Sequence, residues 1–358
     1  MQSDEPPRQP RAVVLDGGGA SQHYVAMRVT VLGAGSWGTT VATLAAHHND
    51  TVIWARGAEV AREIHERHTS SRYLAGYRLP ETLRATSDLA EAVGDADVLL
   101  VGVPTHGFRA AIEQAAAHLR PWVPVVSLAK GFEQGTQLRM TQIITQVLPG
   151  HPAGVLSGPN LAKEIMAGAA AASVIATEDL GVARELQQIL QSGRFRVYTN
   201  HDVIGCEVGG ALKNVVAVAT GIAQGLSVGD NTRAAVITRG LAELTRLGVA
   251  MGGEPATFAG LAGMGDLIAT CVSPQSRNRY VGEQLGLGRE LKDILAEMTM
   301  VAEGVKTAVT AHELAARYDV PMPICEEIYK VVSGEISPSQ AYRGLLPSLP
   351  SGHEAEPG

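Results

Sequence analysis

The residues whose types and spacing could do chemistry fall in a few short stretches. The most compact is "SPQSRNRYVG", Ser273 to Gly282, where Ser276, Arg277, Asn278 and Arg279 set hydroxyl, guanidinium and amide donors on consecutive positions. Such a group suits a phosphate or carboxylate, because a guanidinium presents a planar fork of charge-assisted donors. A solvated polar loop is the plainer account of the same letters. The stretch "EVGGALKNVVAVATGIAQGL" holds a single lysine, Lys213, among small apolar residues. At about 100° per residue its helical neighbours are Cys206, Gly209, Gly210, Val216, Ala217 and Thr220, none of them a carboxylate. Glycines on that face leave space, which fits a lysine aimed into a cavity. Desolvation there lowers a lysine's pKa toward the range of a proton donor to a forming alkoxide. The alternative is a lysine snorkelling from a packed helix.

Three further residues are candidates. Lys130 closes "VVSLAKG" at the carboxyl end of a strand, the edge where open parallel sheets bind ligands. Surface and helix-capping lysines occur at such ends too. In "LSGPNLAKE", Asn160 either caps the next helix or offers its amide to a ligand, and capping is the simpler role. Asp266 follows a glycine-rich turn as a helix N-cap would, yet it lies only ten positions before Ser276.

These side chains need elements to hold them. From Arg28 the chain alternates β-rich runs with helical stretches: "RVTVLG", "TVIWA", "VLLVGVP", "VPVVSLAKG", "GVLSG", "AASVIAT" and "RFRVYT". Strands spaced by helices imply a parallel, doubly wound sheet. After about Asn200 the β-rich runs stop, and Ala/Gly/Leu-rich segments predict helices over 201–225, 232–248, 277–285, 304–317 and 323–332. The first run leads into "VTVLGAGSWGTTVA", with Gly33, Gly35 and Gly38 as G-x-G-x-x-G between strand and helix. Gly33 permits a tight turn, Gly35 lets backbone approach a pyrophosphate, and Gly38 permits close helix packing. In this context the motif predicts a dinucleotide site. The fold class is therefore α/β: an N-terminal Rossmann-like doubly wound, mainly parallel sheet followed by an all-helical C-terminal domain.

A protein selective for NAD usually offers a carboxylate at the end of the second strand to bond the ribose 2′-hydroxyl. Here "VIWARGAE" brings Arg56 first, which can face a 2′-phosphate. NADP(H) is thus expected to be accepted, ahead of NAD(H). The boundaries follow: an extension over 1–26 that is disordered or misassigned, the NAD(P)-binding domain over 27–203, the helical substrate domain over 204–345, and a disordered tail over 346–358. Met27 stands directly before the first strand and is the expected natural start.

Bulk properties exclude several classes. A balance of 29 Lys+Arg against 36 Asp+Glu, net charge -7, argues against a general nucleic-acid binder, so any anion site is local. Cys206, Cys271 and Cys325 are odd in number and lack CxxC spacing, which fits reduced thiols in a cytoplasm and no zinc site. His65 and His68 lie in a charged helical run that reads as a solvated face. No signal peptide is legible in the first 26 residues, and no apolar run is expected to reach the ~18 residues that span a bilayer.

Taken together, "GAGSWGT", "SLAKG", "SGPNLAKE", "EVGGALKNVVAVATGIAQGL", "GDNTRAAVITRGLAE", "GLAGMGDLIATCVSPQSRNRYVG" and "VAEGV" resemble the soluble, bacterial-type NAD(P)-dependent sn-glycerol-3-phosphate dehydrogenases, in order, from Arg28 to about Leu345. The resemblance implies reversible reduction of dihydroxyacetone phosphate to sn-glycerol 3-phosphate, supplying phospholipid synthesis. It implies that Ser36 and Trp37 contact the cofactor in the glycine-rich loop, that Arg56 lies by its adenosine end, and that Ala162, Val301 and Glu303 touch it. Lys130 spans cofactor and substrate, and Arg277 lies near both. Gly158, Asn160, Asp266, Ser276 and Asn278 hold the substrate, with Lys213 as proton donor and acceptor. Many members have serine or threonine where this chain has Asn160. No metal is implied. Arg279 has no role in this scheme and is expected to be structural or on the surface. Rival readings are a related dehydrogenase of a hydroxy acid or sugar acid, and a non-catalytic NADPH-binding sensor. The Gly/Ala-rich helix over 231–248 is a candidate homodimer face.

Overall fold

Val29, Val31 and Leu32 of the first β-rich run are almost wholly buried although they point to alternate faces, so the strand that carries them lies inside a sheet covered on both sides. The computed structural model describes residues 12–13, 24–298 and 302–345. Within these, β1 (Ala12–Val13) and β2 (Tyr24–Val25) form a separate antiparallel ladder. The main sheet comprises β3 (Arg28–Leu32), β4 (Asp50–Trp54), β5 (Arg84–Thr86), β6 (Val98–Val101), β7 (Val125–Ser127), β8 (Ala153–Ser157), β9 (Ala171–Thr177) and β10 (Phe195–Asn200). Their order is β10-β9-β8-β7-β6-β3-β4-β5, parallel throughout except between β8 and β9. The short edge strand β5 is absent from the sequence expectation: three residues, "RAT", carry no readable alternation.

The chain leaves β3 toward one edge through β4 and β5, then returns to the other side at β6. That reversal opens a crevice outside the carboxyl ends of β3 and β6, where Gly33 and Gly102 meet.

Beyond β10 the described residues are helical. The helix Val203–Gly225 is the axis of this half, and Asp202 caps it by accepting from the Gly205 amide at 2.7 Å. The expected helices occur as Asp230–Ala250, Arg277–Gly286, Glu303–Tyr318 and Pro323–Val332. Helix Arg277–Gly286 lies against the axial helix almost backbone to backbone. A Cβ at Gly282 would stand 2.0 Å from the Val218 carbonyl oxygen, and one at Gly221 would stand 2.1 Å from that of Arg279. The Gly/Ala richness of both segments thus fixes how deeply one helix seats on the other, and with it where Arg277 and Asn278 stand.

The expectation that no apolar run reaches bilayer length does not hold. Val203–Gly225 and Pro255–Val272 are long and apolar enough to cross a membrane, but the most apolar 18 residues of the first are 94% buried inside the protein. The second is a succession of short helices, Pro255–Phe258, Leu261–Gly265 and Asp266–Val272. Val301, the tail 346–358, and most of the extension over 1–26 lie outside the described residues.

Candidate active site

Lys213, at the middle of Val203–Gly225, is 5% exposed. Its Nζ donates to Thr270 Oγ1 at 2.6 Å and pairs with Asp266 Oδ1 at 3.0 Å. Lys130 follows β7, and its Nζ donates to the other Asp266 oxygen, Oδ2, at 2.6 Å and to the Gly158 carbonyl at 2.7 Å. One buried carboxylate therefore bridges two ammonium groups brought from the sheet and from the axial helix. Close approach depends on Gly210: a Cβ there would come within 2.7 Å of Ser157 Oγ and 3.6 Å of Lys130 Cγ. Burial is the largest influence on Lys130 and lowers its pKa to about 8; Asp266 opposes this and Lys213 adds to it.

Amides extend the cluster. Asn214 Nδ2 donates to the Lys130 carbonyl at 3.1 Å, and Asn278 Nδ2 donates to Asn214 Oδ1 at 2.8 Å. Asn278 Oδ1 in turn accepts from the Gly304 amide at 2.9 Å. Ser276 caps Arg277–Gly286 by accepting from the Arg279 amide, which leaves its hydroxyl hydrogen available. Arg277 presents an exposed side chain, yet desolvation by the surrounding protein lowers its pKa below the usual guanidinium value, against the pull of Glu303. Arg279 instead donates to the Ser273 carbonyl and pairs with Glu283 at 3.3 Å, the structural role expected of it.

The crevice fits a dinucleotide. Gly33 has φ 106°, a left-handed conformation that favours glycine. A Cβ at Gly38 would stand 2.0 Å from the Gly33 carbonyl oxygen, whereas one at Gly35 meets nothing within 4 Å. The outer two glycines are thus demanded by the fold, and Gly35 faces the open space that a pyrophosphate needs. Ser36 and Trp37 begin the helix Ser36–Ala45. The indole of Trp37 packs on Phe195, and its backbone amide belongs to the first turn of the helix, near the positive end. Arg56 is exposed just beyond β4, Ala162 opens the helix Ala162–Met166, and Glu303 opens Glu303–Tyr318.

The family description "NAD-dependent glycerol-3-phosphate dehydrogenase N-terminus" matches residues 28–183, and its C-terminus counterpart matches 202–343. A glycerol-3-phosphate dehydrogenase [NAD(P)+] 2 of Sphingopyxis alaskensis is 56% identical over 332 residues, 93% of this chain and 99% of that protein. One from Mycobacterium avium is 54% identical over 91% of this chain and 96% of its own length. The chain belongs to the NAD-dependent glycerol-3-phosphate dehydrogenase family. The solved glycerol-3-phosphate dehydrogenase of Coxiella burnetii superposes with TM-score 0.86 at 35% identity, covering 90% of this chain and 99% of that one. The protein is accordingly an oxidoreductase dependent on NAD(P).

Within this glycerol-3-phosphate dehydrogenase fold two sequence expectations change. Asp266 is not an N-cap: Gly265 takes that position, and the carboxylate turns to the lysines. Asn160 is not a cap either: Leu161 precedes the helix, and Asn160 Nδ2 donates to Ser173 Oγ at 3.1 Å while its Oδ1 is buried without a hydrogen-bond partner. Lys213 has no carboxylate neighbour on its own helix face, but Asp266 reaches it from another helix. Lys130 is strongly desolvated. Sequence reasoning also missed Thr270 and Asn214. Thr270 is one turn beyond Asp266, and Asn214 adjoins Lys213. Those spacings are visible in the sequence, but which face each residue presents is not.

Proposed function

We propose that the protein interconverts dihydroxyacetone phosphate and sn-glycerol 3-phosphate with NAD(P)(H), with NADPH preferred, and so supplies phospholipid synthesis in the cytoplasm. The observation that carries this reading is the Asp266 carboxylate held between Lys130 and Lys213. Gly33, Gly35, Ser36, Trp37 and Gly38 would hold the pyrophosphate end of the cofactor, with Arg56 by the adenosine and Ala162, Arg277 and Glu303 along the remainder. When bound, the cofactor supplies or accepts a hydride at C2 of the triose.

The chain's own residues bind, orient and move the proton. Among the described residues, Lys213 uses two of its three N–H groups on Thr270 and Asp266, leaving one for the C2 oxygen. Lys213 gives that proton to the forming alkoxide and takes it back in oxidation, while Asp266 stabilises the ammonium between turnovers. Lys130 likewise has one N–H left to orient the carbonyl. The Arg277 fork, the Ser276 hydroxyl and the remaining Asn278 amide hydrogen take the phosphate. Gly158 and Asn160 close the other wall.

A second reading gives the proton transfer to Lys130, and its lowered pKa favours that. Arginine substitutions at each lysine separate the two, since arginine does not release its proton at these pH values.

We further propose a homodimer through Asp230–Ala250, on which the exposed Ala234, Ala235, Thr238 and Ala242 form a small, uncharged face. Light scattering of the purified protein tests it. The main reading is tested by following NADPH and NADH oxidation with dihydroxyacetone phosphate, a 2-oxo acid and a keto sugar acid. Arg277→Ala should chiefly raise KM for the triose phosphate. Turnover on the 2-oxo acid alone would replace this reading with another dehydrogenase, and cofactor binding without turnover would leave a sensor.

A further inference from the structure

Thr105 opens the helix Thr105–Ala116, four residues after β6 reaches the crevice, and it is only 3% exposed. Its two branches serve different partners. The hydroxyl Oγ1 donates to Glu303 Oε2 at 2.9 Å, across 198 positions of sequence and from the sheet half to the helical half. The methyl fills the space beside Gly131, the residue after Lys130: a Cβ on Gly131 would come within 2.9 Å of Thr105 Cγ2 and 3.5 Å of Glu303 Oε2. Thr105, Gly131 and Glu303 therefore meet at one point, between the strand end that delivers Lys130 and the helix end that delivers Glu303. Glu303 also acts on Arg277 through its charge. The next residue, Gly304, donates to Asn278 and so joins the amide chain that runs back to the Lys130 carbonyl. This closes a ring through both halves of the site.

We propose that Thr105 is a positioning residue for cofactor binding: its hydroxyl fixes the Glu303 carboxylate at the crevice while its methyl seats the Lys130–Gly131 turn. The inference rests on the proposed function only in taking Glu303 as a cofactor contact. No other residue type supplies both parts. Serine keeps the donor and removes the methyl, whereas valine keeps the shape and removes the donor, leaving a carboxylate oxygen in need of another partner.

The test measures NADPH dissociation constants by tryptophan fluorescence on the full chain, beside kcat, KM and the thermal midpoint. Thr105→Val should weaken NADPH binding roughly tenfold or more, the loss expected for one hydrogen bond to a charged group, with the thermal midpoint little changed. Thr105→Ser should recover most of the affinity. In a Glu303→Ala background, Thr105→Val should add almost nothing, because the hydrogen bond is already gone. Thr105→Ala carries the same cycle if the valine variant does not fold. Wild-type affinity in Thr105→Val, or a loss that adds in full to that of Glu303→Ala, overturns the proposal. A coupled cycle in a protein inactive on dihydroxyacetone phosphate supports the positioning role and removes the reaction assigned above.

Discussion

The turn Gly33–Gly38 is built from backbone within six consecutive residues, whereas the cluster of Lys130, Asp266 and Lys213 is built from side chains up to 136 positions apart. The turn is specified by what is missing: no Cβ fits at Gly38, and none obstructs at Gly35. The cluster is specified by charge, with one carboxylate shared between two ammonium groups in a buried setting. Steric specification is local and tolerant of most surroundings. Electrostatic specification needs every partner delivered within hydrogen-bond reach, so the axial helix and its glycines serve the cluster more than the crevice.

The largest effect is expected where the cluster does its chemistry. Lys213→Ala should lower kcat by roughly 10²–10⁴-fold, the usual share of a positioned acid or base, with a smaller change in NADPH affinity. A kcat within about tenfold of the wild type would remove Lys213 from proton transfer. The two glycines should then respond in opposite ways. Gly38→Ala drives a methyl to 2.0 Å from the Gly33 carbonyl oxygen, so it should lower both the thermal midpoint and cofactor affinity. Gly35→Ala meets open space, so the thermal midpoint should hold while NADPH affinity falls on the order of tenfold. Equal losses of stability in both variants would break the contrast.

This same contrast governs how much could be read from the letters. The glycine turn, the alternating strands and five helices were legible because each is a local pattern, and the axial helix Val203–Gly225 and Pro323–Val332 fall within two residues of their expected bounds or on them. Strand β5 was too short to show. In the site, Lys130 and Lys213 stood out as unusual lysines, but their shared partner did not. Asp266 is assigned a capping role by local rules because nothing nearby in sequence reveals two ammonium groups in space. Asn160 is misread for the same reason: its partner, Ser173, lies on β9. The resemblance to a known family supplied the grouping that local physics could not.

Titration probes the cluster less drastically. Because burial holds the Lys130 pKa near 8, below its ordinary 10.5, the unfolded chain binds more protons between those values. The cost of burying the ammonium is therefore present in full below pH 8, and this group's contribution to stability rises as pH climbs from about 8 to 10.5. Activity should move the other way, kcat/KM for dihydroxyacetone phosphate falling above about pH 8 as the ammonium is lost. In Lys130→Arg that alkaline limb should disappear, whatever the remaining rate. Its survival would assign the limb to another group.

The smallest effect belongs to the far end of the crevice, where charge acts without burial. Arg56 is exposed beyond β4, and no carboxylate stands between Trp54 and Arg56 to take a ribose 2′-hydroxyl. An exposed guanidinium gains a charge-assisted bond to a 2′-phosphate but is screened by solvent, so its discrimination is modest. Arg56→Gln should lower kcat/KM for NADPH by about tenfold at low salt and leave that for NADH nearly unchanged, with the gap narrowing as salt is added. A like fall for both cofactors would mean that Arg56 supports the loop rather than reading the phosphate. No change for either would leave it an ordinary surface arginine and place any NADPH preference elsewhere in the crevice.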